Sequence, residues 1–102
     1  MTGIQEMYCE LIANNYGKEH QTKKLIEELS ELIRAIVRND VENIIEELAD
    51  VEIMIYQVKT LMNLENEVKQ KINEKIDRQS RRMRDEKIHS ITDGAWQAVK
   101  GE

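Results

Sequence analysis

Apolar residues recur along this chain at intervals of three and four, the spacing of one face of an α-helix. Ile4, Met7, Tyr8, Leu11 and Ile12 set that rhythm first and predict a helix over roughly residues 2–15. Asn14-Asn15-Tyr16-Gly17 then reads as its end, with Gly17 able to take the positive φ of a helix C-cap. Leu25, Leu29, Leu32 and Ile36 make a second stripe, in a helix expected over about 19–38. Ile44, Leu48, Val51 and Ile55 make a third, in a helix expected over about 41–62. Arg38-Asn39-Asp40 between them is a short turn, with Asn39 or Asp40 as the cap of the next helix. A fourth helix is expected from near Leu64, through Val68, Ile72 and Ile76, into the basic stretch RQSRRMRDEK. Ile88, Ile91, Trp96 and Val99 follow, around an Asp93-Gly94 turn signal. Residues 86–102 are therefore expected to be a short, partly helical tail, docked at a subunit interface.

A turn of two or three residues makes helices two and three antiparallel neighbours. The pattern predicts an all-α protein: an antiparallel bundle of four main helices in one domain over 1–102. Composition agrees, since there is no Pro, no Phe and only 4 Gly, and helix formers dominate. The many Ile, Leu and Met residues exceed what one small bundle buries, so a homodimer or homotetramer is expected.

Charge and cysteine use narrow the class. The net charge of -5 argues against a nucleic-acid polymer as partner. Cys9 is the only cysteine and makes no internal disulfide, which fits a reducing cytoplasm. No apolar run approaches the ~20 residues of a membrane span, so no membrane association is expected. The start, MTGIQEMYCELIANN, is broken by acids and amides and does not read as a secretory leader. No Gly-rich phosphate loop is present.

The second and third helices carry nearly the same phrase, LIEELSEL at 25–32 and IIEELADV at 44–51. On a helical wheel Glu28 lies at the edge of its apolar stripe and Glu31 one step further round. Glu47 and Asp50 take the matching places on the next helix, while Glu27 and Glu46 point outward. Antiparallel helices with matching acidic rims bring four carboxylates into one cleft. Like charges brought together out of water cost free energy, and a divalent cation removes that cost. Mg²⁺ suits such water-accessible carboxylate sites, shared with substrate phosphates. The plainer explanation is two ordinary amphipathic helices with solvated acidic rims. The pattern alone leaves both readings standing.

At these residues the chain resembles the MazG-like family of all-α nucleoside triphosphate pyrophosphohydrolases. The resemblance rests on Glu28-x-x-Glu31 followed by Glu47-x-x-Asp50, within KLIEELSELIRAI and EELADVEIMI, and spans about residues 16–82. It implies a helical bundle that dimerises or forms dimers of dimers. It also implies Mg²⁺-dependent hydrolysis of a nucleoside triphosphate to the monophosphate and pyrophosphate, in nucleotide-pool control. The catalytic and metal-binding carboxylates would be Glu28, Glu31, Glu47 and Asp50. Members often carry words like EKIxxNxxR on the following helix. Here the word is EKIDRQSRR, so Lys75 and Arg78 are expected substrate contacts and Gln79 stands where Asn is common. Arg81 and Arg82 are further cations for pyrophosphate, or charges suited to a helix C-terminus. Gln21, beside His20 and two turns before the first motif, is a candidate for facing the base. The alternative function is a helical interaction or regulatory module that keeps the fold without catalysis. Glu86-x-x-His89 has the spacing of a di-iron ligand pair, but such bundles need two pairs and two further Glu. Trp96 reads as a packing anchor and Cys9 as a small buried side chain.

Overall fold

The computed structural model of the chain describes residues 1–100, and the side chains of all of these except 92, 93 and 95–100. Trp96 and Val99 thus lie outside the described side chains. Four helices follow one another: α1 Gly3–Tyr16, α2 Lys18–Val37, α3 Val41–Leu61 and α4 Glu65–Lys100. No strand occurs among the described residues. The protein is all-α, as its spacing predicts. It divides into two compact units, Met1–Asn66 and Glu67–Glu102.

The first unit packs α1, α2 and α3 together, and local chemistry explains each boundary. Thr2 opens α1 with a capping box: its hydroxyl accepts from the Gln5 N–H, and its own N–H donates to Gln5 Oε1. Gly17 closes α1 by donating its N–H to the Ala13 carbonyl, and it is also the residue from which α2 departs. Its φ of 89° with ψ of 168° is a conformation essentially confined to glycine. At the α2–α3 turn, Asn39 takes φ 56° and Asp40 caps α3 by accepting from the Asn43 N–H. Asn63, at φ 55°, does for the end of α3 what Asn39 does for α2. Tyr56 on α3 donates toward Glu10 at 3.2 Å and stands 3.5 Å from Glu6, tying α3 to α1.

The buried line differs from the expected stripes. On α2 the buried residues are Gln21, Glu28 and Ala35, spaced by sevens, and on α3 they are Val51, Met54 and Gln57. Leu29, Ile36, Leu48 and Ile55 remain 40, 54, 46 and 41% exposed. Glu28 therefore sits at the centre of the α2–α3 contact rather than at its edge. A broad apolar stripe has two flanks, and three helices cover only one of them. Cys9 and Ala13 are the buried residues of α1, whereas Ile4, Met7, Leu11 and Ile12 are exposed. Glu27 and Glu46 face solvent as expected.

The second unit is built on α4 from Glu67 onward. It runs through Asp93-Gly94 to Lys100 without a break, so of the short, partly helical tail expected over 86–102 the described residues, 86–100, continue one helix. Gly inside a helix costs about 1 kcal/mol relative to Ala but does not remove a hydrogen bond, and no Pro is present to do so.

Gly17→Ala is expected to lower the unfolding free energy by about 1–3 kcal/mol in a denaturant titration, because alanine cannot take the observed torsions without strain. A change smaller than the fitting error would show that the turn relaxes at no cost.

Candidate metal and substrate site

Antiparallel pairing fixes what meets across α2 and α3. Gln21 reaches Gln57 through an amide–amide hydrogen bond, and further along the same face Glu28 meets Glu47 and Asp50. One oxygen from each of Glu28, Glu47 and Asp50 lies within 4.8 Å of the other two. Glu28 is buried, Glu47 half-buried and Asp50 exposed, so the cluster runs from the helix interface out to water. Glu31 is exposed and falls outside that triplet, yet it is close enough to act electrostatically on Glu47.

Lys24, one turn before Glu28, sits 3.4 Å from Glu28 Oε1 and 3.6 Å from Glu27 Oε2. The other oxygens are less well served. Glu28 Oε2 and Glu47 Oε2 are buried and have no hydrogen-bond partner. As two carboxylates they offer each other no donor; with one proton they would share a hydrogen bond. Glu47 is accordingly pushed up to about 7 from 4.5, first by Glu28, then by burial and by the charge of Glu31. Asp50 is raised by burial and by Glu28, with Lys24 acting in the opposite direction. Lys24 is itself raised, chiefly by Glu28.

Two cavities flank the acids along the groove between α2 and α3. The larger, about 680 Å³, is lined on α2 by His20, Gln21, Lys23, Lys24 and Glu27, and on α3 by Ile53, Met54 and Gln57. Ile12 and Tyr16 of α1 complete its wall. Tyr16 stacks on the His20 ring with centroids 4.7 Å apart. His20 Nδ1 lies 2.6 Å from Gln21 Oε1, so the ring, Gln21 and Gln57 form one hydrogen-bonded row. The smaller cavity, about 260 Å³, is lined by Glu31, Arg34, Ala35, Arg38, Asn43 and Glu47.

The structure thus brings together Glu28, Glu47 and Asp50, with Glu31 beside them, and buries Gln21 at the neighbouring cavity. Lys75, Arg78 and Gln79 lie exposed on α4, in the second unit, as do Arg81 and Arg82. Arg81 pairs with Asp77 at 3.0 Å. Sequence reading passed over Lys24, Gln57, Arg34 and Arg38. Lys24 was signalled by its i, i+4 spacing to Glu28. Gln57 is visible only once the register opposes it to Gln21.

The geometry is that of an acidic centre between a roomy, partly aromatic cavity and a polar notch. Residues 17–89 match the model of the MazG nucleotide pyrophosphohydrolase domain. No curated protein matches the chain, and no solved structure does. The matched span covers both motif pairs and most of the sequence, and the chain belongs to the MazG nucleotide pyrophosphohydrolase family.

Proposed function

We propose that the protein is a Mg²⁺-dependent hydrolase of a ribo- or deoxynucleoside triphosphate, releasing the monophosphate and pyrophosphate, in nucleotide-pool sanitation or control. The observation that carries this is the pair of buried, partnerless oxygens on Glu28 and Glu47 within the three-carboxylate cluster. Hard oxygen ligands open to water on one side fit Mg²⁺. Glu28, Glu47 and Asp50 would hold it, with Glu31 as the outer carboxylate. A non-catalytic interaction module would have no use for carboxylates held against one another without a donor.

When bound, such a cation neutralises phosphate charge and acidifies coordinated water. The remaining work falls to side chains. The 680 Å³ cavity is of the size that takes a small-molecule ligand, and the Tyr16–His20 stack and the Gln21–Gln57 row offer it a ring face and amide edges. In the reaction, water oxygen bonds to the α-phosphorus and the bond to the α–β bridging oxygen breaks. That oxygen leaves with the electron pair on pyrophosphate, and the water proton passes to a carboxylate of the cluster. Lys75, Arg78 and Gln79 are proposed as further substrate contacts.

Residues 1–102 are proposed to work as one domain, since the family match runs across the boundary between the two units. A homodimer or homotetramer is proposed, supported by the large apolar residues left exposed on all three helices of the first unit. Among the described residues no helix is long and apolar enough to cross a membrane, and a cytoplasmic location is proposed.

Purified protein with Mg²⁺ should release pyrophosphate from at least one member of a nucleoside triphosphate panel, with phosphate and pyrophosphate read separately. Glu47→Gln and Asp50→Asn should each cut kcat by at least about 100-fold while helicity stays at wild-type level. Absence of pyrophosphate from the whole panel, or an unimpaired Glu47→Gln, would defeat the reading.

A pH dependence follows from Glu47. Its folded value is raised from 4.5 to about 7, so across that window the folded chain holds a proton that the unfolded chain has released. This stabilising contribution is present at acid pH and lost as pH rises through about 7. The melting temperature of metal-free protein should therefore fall between about pH 5 and about pH 8, less steeply in Glu47→Gln. Added Mg²⁺ should raise it, and more at the upper end of that range.

A further inference from the structure

The two cavities and the acids occur in a fixed order. Along α2 the large cavity takes residues 20–27, the acids are Glu28 and Glu31, and the small notch takes Arg34, Ala35 and Arg38. Along α3 the order runs backward, from Ile53, Met54 and Gln57 through Asp50 and Glu47 to Asn43. Antiparallel helices that repeat an order in opposite senses define one straight groove. Glu31 and Glu47 belong to the notch wall as well as to the acidic site, so the notch opens directly from the reaction centre.

Its chemistry is opposite to that centre. Arg34 stands three residues after Glu31, on the same helical face. Neither Arg34 nor Arg38 is in an ion pair among the described residues, although Glu31 and Glu47 share the cavity with them. An unpaired guanidinium keeps five donors for another acceptor, in a planar fork that matches phosphate oxygens. Asn43 closes the notch with its amide held by Asp40 at 2.8 Å, and the rest of the wall is the small Ala35. Nothing aromatic or bulky lines the space, which suits a small anion and not a base.

We propose that this notch takes the pyrophosphate end of the substrate, with Arg34 and Arg38 as its guanidinium clamp. The proposal rests on the triphosphate reading above and gives the bound molecule a direction. Its nucleoside points toward the α1 side of the groove, and its leaving group toward the α2–α3 turn. As the α–β bond breaks, negative charge grows on the leaving oxygen, and the two arginines are placed to receive it. The ordinary explanation of both residues is charge placement at the C-terminus of α2. Lysine would serve that purpose equally well, but it lacks the fork.

Calorimetric titration of the 102-residue chain with magnesium pyrophosphate separates these roles. The double variant Arg34→Gln/Arg38→Gln should bind about 10–100-fold more weakly than wild type. The double variant Arg34→Lys/Arg38→Lys should keep the wild-type melting temperature yet remain impaired in binding. Unchanged binding by the glutamine pair overturns the clamp, and so does complete repair of both affinity and melting temperature by lysine. The two proposals fail separately. Arginine-dependent pyrophosphate binding without hydrolysis of any triphosphate would remove the catalytic reading alone. Hydrolysis with pyrophosphate affinity indifferent to both arginines would remove the notch alone.

Discussion

Glu28 and Glu47 come from neighbouring helices and end in the same buried volume, each with an oxygen that meets no donor. The architecture around them follows from holding two such groups together. A short turn capped by Asp40 makes α2 and α3 antiparallel and sets the register that opposes residue 28 to residues 47 and 50. Ala35 and the Gln21–Gln57 bond occupy the same face on either side. Lys24 takes up one oxygen of Glu28 and leaves the other unanswered. Self-repulsion at this point opposes folding of the bare chain, and packing of the surrounding helices has to outweigh it. A fold that keeps a local conflict of this kind commonly keeps it for chemistry.

The motif was legible because an i, i+3 spacing on a helix admits little freedom. Once α2 and α3 are helices, Glu28 and Glu31 share a side, and Glu27 must leave it. The same reasoning correctly sent Glu46 to solvent, while the Asn-Asn-Tyr-Gly end of α1 gave Gly17 its positive φ as a helix cap. The apolar stripes were less informative. They identify which half of a helix avoids water, but the flank covered within one chain depends on where α1 lies. The wheel therefore put Glu28 at the rim of a leucine face, whereas the packed helices put it at the centre of contact, with Leu29 and Ile36 beside it and exposed.

Long-range pairs were the least legible. Gln21 and Gln57 are 36 residues apart, and neither announces the other until the register is known. Arg34 and Arg38 looked like ordinary charges near a helix end, and only a cavity shared with Glu31 and Glu47 sets them apart. Asp93-Gly94 erred the other way. It is a strong turn signal between two hydrophobic runs, yet a weak propensity at one residue did not interrupt a helix already several turns long.

Gly17 closes α1 and launches α2 as a single residue, with no loop between them. Ile12 and Tyr16 lie just before it, and His20 and Gln21 just after, on the same 680 Å³ cavity. The α1 and α2 parts of its wall are thus joined through one pair of torsions. How Tyr16 meets His20 is therefore set by the backbone at Gly17 as well as by the side chains themselves. A change at Gly17 would move the α1 part of that wall against the α2 part while every lining side chain stays the same.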